Sequence, residues 1–164
     1  MKTIMAISKD KGIDRIFMII KVLLAVSPFM ALGYLSANGV KYGGSLQTIL
    51  NSNPDLAVMF LVAMVNPFIA YLLGYVEQHL KKADNGYVLL NLGLMIVAEL
   101  MIENIMYALI LAFLIYKCVK TYQIPIKESI KASAKDHLLR DISGSIVVLI
   151  FSGICLFARI QIGM

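Results

Sequence analysis

The sequence predicts an all-α fold, a polytopic integral membrane helix bundle of five spans with four as the alternative, and three observations predict it. The first is composition. Of 164 residues, 60% are apolar and 15% charged, where soluble domains hold about 45–50% and about 25%, and the mean hydropathy is +0.82. The second is length, since several apolar stretches reach the roughly 20 residues that a spanning helix needs. The third is the placement of Lys and Arg, which sorts the stretches into crossings. Soluble globular folds, disordered tails and nucleic-acid-binding modules are excluded by this composition.

The first span covers residues 16–36. Lys9, Lys11 and Arg15 stand before it in the manner of a signal peptide, but Lys21 and Pro28 interrupt the apolar run and no small-x-small cleavage site follows. An uncleaved first helix is expected. The second span covers 56–76 and carries Asn66-Pro67 near its middle. A proline there removes one backbone hydrogen bond, as Pro28 does after Ser27 in the first span, and a kink is the expected result rather than a broken helix lining a substrate site.

Residues 86–116 set the topological problem. Their only formal charges are Glu99 and Glu103, and as one helix the stretch would run about 46 Å against a hydrocarbon core of about 30 Å. Cytoplasmic loops collect Lys and Arg, so charge arbitrates between one long helix and a hairpin turning at Glu103-Asn104. Four spans put 8 basic residues on one side and 7 on the other, whereas five spans put 13 inside and 2 outside. Five spans are therefore preferred, with helices at 86–102 and 104–122, although the hairpin must turn without Gly or Pro. The last span covers 142–162.

Between the last two spans, 124–141 reads as an amphipathic helix on the cytoplasmic surface. Pro125 suits a first turn, and Ile126, Ile130, Ala134 and Leu138 recur beside the stripe Lys127, Lys131, Lys135. Such a helix rests an apolar edge on acyl chains while its lysines reach anionic headgroups. Lys81, Lys82 and Arg140 extend the same basic surface, which fits membrane lipid or an acidic protein partner. An ordinary solvated connector explains the same charges.

Polar groups inside the spans are expensive in lipid and are the candidate functional residues. Glu99 and Glu103 are spaced i, i+4 and would share one helical face. Asn66, near the middle of the second span, and Asn104, at the expected turn, add further polar groups. Arg159 stands about 26 Å along its helix in the five-span arrangement, level with the two acids, so a carboxylate–guanidinium pair is expected there and is impossible with four spans. Paired acids can serve a cation or proton path; a turn at Glu103-Asn104 makes them interfacial instead.

Chemistry is otherwise sparse. His79 and His137 lack an arrangement that marks a general base, and Cys118 and Cys155 belong to no CxxC or Cys/His cluster, so no catalytic set, no metal site and no cofactor are expected. The single membrane domain leaves no room for a soluble catalytic domain. The preferred function is a non-enzymatic regulator or accessory subunit in the plasma membrane, N-terminus cytoplasmic, that binds a protein partner or a second copy of itself through the basic face and binds no nucleic acid. The alternative is a small transporter or channel component that uses Glu99 and Glu103.

Overall fold

The computed structural model describes residues 2–42, 47, 50, 53–126, 129 and 138–163, with side chains described for 11–37, 47, 50, 53–126, 129 and 142–162. These form five helices: α1 (Lys2–Tyr42), α2 (Pro54–Lys81), α3 (Asn85–Met101), α4 (Ile105–Tyr122) and α5 (Leu138–Gly163). No strand occurs among the described residues. Four helices are long and apolar enough to cross a membrane, through Lys11–Ala37, Pro54–Lys81, Ile105–Tyr122 and Ile142–Ile162, and α3 is a shorter apolar helix. The chain is a membrane-embedded, multi-pass helical bundle.

The stretch 86–116 is split. Helix α3 ends at Met101 and α4 starts at Ile105, and the two pack against each other as a hairpin. At 17 residues α3 runs about 25 Å, a few Å less than a typical hydrocarbon core. The turn closes without glycine because Glu103 takes a left-handed backbone, φ 56°. Its amide donates to Leu100 O at 3.1 Å, and that of Asn104 donates to Glu99 O at 2.9 Å. This is the Schellman pattern. The α2–α3 turn repeats it at Ala83, φ 61°, with Asp84 N donating to His79 O at 3.0 Å.

Several boundaries differ from those read in the sequence. Helix α2 runs on through Glu77 to Lys81, leaving three residues of the expected loop 77–85 before α3, and α1 continues to Tyr42. Nothing in the sequence of α2 breaks the helix at the edge of its apolar run, so it continues to its C-cap at Lys82. Helix α5 includes Leu138–Asp141, ahead of the span Ile142–Ile162, and these residues are the C-terminal end of the surface helix expected over 124–141. The greater part of that expected helix, including Lys127, Lys131 and Lys135, lies outside the described residues.

Packing places α2 and α3 at the centre: α2 lies against α1, α3 and α5, and α3 against α2, α4 and α5, while α1 also meets α4. Buried residues recur at three- and four-residue spacings, as in Ile69, Leu73, Val76 and Leu80 on α2 and Val88, Leu92, Met95 and Glu99 on α3, the stripe by which side chains of one helix fit the grooves of the next. The opposite faces expose Met18, Phe29, Phe68, Leu109 and Ile150, as a lipid-facing surface requires. Lipid offers no hydrophobic drive for helix association, so small residues and buried hydrogen bonds matter more. Gly144 lets α5 close on α2, since a Cβ there would lie 2.5 Å from Leu72 Cδ2. Ser145 on α5 and Asn91 on α3 hydrogen-bond at 2.6 Å in the interior.

Neither proline interrupts its helix. Pro28 leaves the carbonyl of Leu24 without its helical donor, and Pro67 does the same to Ala63, because proline has no N–H to give to residue i−4. The buried hydroxyl of Ser27 reaches both, 2.9 Å from Leu24 O and 3.1 Å from Ala63 O. The single hydroxyl proton is thus shared between two orphaned carbonyls on adjacent helices.

Candidate functional site

The helix order alternates direction at every turn, so the bundle has two chemically distinct ends. One end gathers the start of α1, the α2–α3 turn, the end of α4 and the start of α5. The other gathers the end of α1, the start of α2, the α3–α4 turn and the end of α5. Lys21 of α1 ties the first end together by donating to Glu77 of α2 at 2.6 Å. Lys81 adds contacts to Glu77 at 2.9 Å and Asp14 at 3.1 Å. Lys81 is therefore engaged in ion pairs, while Lys82 is exposed. Arg140 is helical in α5, its side chain outside the described set. Beside this network His79 stacks on Tyr87, ring centroids 3.7 Å apart, and pairs with Asp84 at 2.9 Å.

At the other end a cavity of about 670 Å³ opens among α1, α2, the α3–α4 turn and Arg159 of α5. Four of the polar residues singled out in the sequence line it: Asn66, Glu103, Asn104 and Arg159. Arg159 Nη2 lies 2.9 Å from Glu103 Oε2, with both side chains about half exposed, 50% and 57%. The expected pair is thus formed with Glu103. It joins the end of α5 to the α3–α4 turn, and it sits at the cavity mouth rather than buried in the core.

Sequence reasoning missed three further polar lining residues, Asp55, Ser27 and Tyr107. Asp55 follows Pro54 in the first turn of α2, where a carboxylate favours the helix N-terminus. Tyr107 donates to Leu23 O at 3.4 Å across the α1–α4 interface. The walls between these groups are apolar, with Met30, Val58, Met59 and Val62 among them. Asn66 is 2% exposed, and its Oδ1 has no hydrogen-bond partner among the described residues.

Glu99 is separated from Glu103 by the turn. Its side chain is fully buried and does not line the cavity; the Asn104 side chain stands near it, but neither carboxylate oxygen makes a hydrogen bond of full geometry among the described residues. Ser152 Oγ, also fully buried, is unpartnered in the same sense. Buried polar atoms are satisfied in the great majority of cases, so each such group calls for an explanation.

Among the described residues, no group of three His, Cys, Asp or Glu gathers as a metal cluster. Both cysteines are free and buried. The sequence matches no protein-family model, and neither a curated protein nor a solved structure shows significant similarity to it.

Proposed function

We propose that the protein is a small, non-enzymatic solute-binding component of a membrane transport system, holding an ammonium-bearing solute in the cavity at the outer end of the bundle. The observation that carries this reading is the cavity itself. It is about 670 Å³ in volume, within the range of small-molecule sites, and combines apolar walls with a few polar groups. Glu103 and Arg159 neutralise each other. Asp55 then leaves the mouth with one acidic charge that no described cation pairs. A cation or zwitterion is matched by this lining and an anion is not. Charge supports the orientation: among the described residues ten Lys and Arg stand in the segments at the end opposite the cavity and two, Lys41 and Arg159, at the cavity end, the bias expected if the basic end is cytoplasmic and the cavity external in a plasma membrane.

The test is uptake into vesicles containing the whole protein, using a panel of amino acids and polyamines as probes. At least one ammonium-bearing probe is expected to accumulate, and Val58→Trp, which fills the cavity without removing a charge, is expected to abolish its accumulation. Absence of uptake across the panel, or uptake unchanged by Val58→Trp, contradicts the reading.

A second reading is favoured by the same charge distribution. A membrane-held regulator could capture an acidic protein partner through the basic end, with Lys82, Lys127, Lys131, Lys135 and Arg140 supplying the charge. That reading expects salt-sensitive association that weakens when Lys127, Lys131 and Lys135 are changed to Gln.

A further inference from the structure

Three buried residues carry unpartnered oxygens on three different helices: Asn66 Oδ1 on α2, both carboxylate oxygens of Glu99 on α3, and Ser152 Oγ on α5. They are 2%, 0% and 0% exposed. The register between the helices puts them at one depth. Ser145 bonds to Asn91 at 2.6 Å, and a Cβ on Gly153 would lie 3.7 Å from Met101 Cε, so α5 runs parallel to α3 with Ser152 level with Glu99. Leu72 abuts Gly144 and Phe68 stacks on Phe151 at 6.3 Å, so α2 runs antiparallel to α5 with Asn66 level with Ser152. The three helices pack pairwise against one another.

We propose that Asn66, Glu99 and Ser152 form a sodium-ion site beside the inner wall of the cavity. Four oxygens with one formal negative charge match a hard monovalent cation, whereas a divalent ion generally draws on more carboxylates or retained water. The ion supplies the partner that each oxygen lacks and neutralises a carboxylate that lipid and protein alike make costly. Access is provided by Asn66, which belongs both to this layer and to the cavity lining, so an ion entering from outer water reaches Glu99 through it. A role for the ion in driving solute movement rests on the solute reading above; the site itself does not.

The experiment therefore contains no solute. The intact protein in detergent micelles is unfolded by heat in sodium chloride and in choline chloride at equal ionic strength and mildly alkaline pH. The site predicts a midpoint that rises with sodium, saturates, and does not rise with choline. Ser152→Ala is expected to raise the half-saturating sodium concentration about tenfold, the equivalent of losing one ligand, and Glu99→Gln to abolish the sodium effect. Equal midpoints in the two salts for the unmodified protein overturn the proposal, and so does a sodium effect that survives Glu99→Gln. If Glu99→Gln fails to fold, the unmodified protein and Ser152→Ala still decide the matter. A positive sodium response with no uptake of any probe retires the solute reading and leaves the ion site standing.

Discussion

The Ser27 hydroxyl stands 3.1 Å from the carbonyl of Ala63, which is the carbonyl that Pro67 leaves without a helical donor. The same hydroxyl covers the carbonyl freed by Pro28. Ser27→Ala should cost about 1–2 kcal/mol, because two buried acceptors lose the donor they share. In a Pro67→Ala background the restored N–H serves Ala63 directly, and the cost of Ser27→Ala should fall to about half. Unfolding in mixed micelles measures both. An equal cost in the two backgrounds would show that the hydroxyl acts by packing alone.

The Glu103–Arg159 pair joins two helix ends at 2.9 Å, yet both partners are about half exposed. Solvent screening limits such pairs to about 0–1 kcal/mol. A double-mutant cycle with Glu103→Gln and Arg159→Ala should therefore give a coupling below about 1 kcal/mol. A coupling of several kcal/mol would mean that the pair is desolvated in the membrane.

Ala83 occupies a left-handed conformation, φ 61°, which costs a residue with a Cβ about 1 kcal/mol or more. Ala83→Gly removes that strain at a position where the backbone, not the side chain, closes the turn. Stability should rise by roughly 0.5–1 kcal/mol, partly offset by the greater freedom of glycine in the unfolded chain. Denaturant titration of the two proteins reads the difference, and a loss of stability would contradict the account of this turn.

The hairpin was legible in the sequence because charge sidedness is a global property that survives ignorance of local structure. Its mechanism was not. The αL positions fall on Ala83, Glu103 and Gln123, where the glycine that ordinarily marks such a turn is missing. Asn66, Glu103, Asn104 and Arg159 were visible as polar residues in apolar runs, and the pairing of Arg159 with an acid followed from helix depth. Asp55 and Ser27 were not singled out as cavity residues, since each sits beside a proline that explains it locally and their convergence depends on the register between α1 and α2. Ser152 looked like an ordinary small residue because a serine in a span costs little until its neighbours are known. The Lys21–Glu77 contact was hidden for the same reason: the two residues lie 56 apart in sequence.

If the α3–α4 hairpin completes two crossings, as we propose, the cavity and the basic end of the bundle lie on opposite sides of the membrane. Single cysteines at positions 122 and 161, placed in a protein lacking Cys118 and Cys155, report the two sides when intact cells are treated with a membrane-impermeant thiol reagent. Labelling of Gln161→Cys on intact cells, with Tyr122→Cys labelled only after the membrane is opened, is the predicted result. Labelling of Tyr122→Cys on intact cells with Gln161→Cys protected would mean that the hairpin never crosses, and would contradict the account.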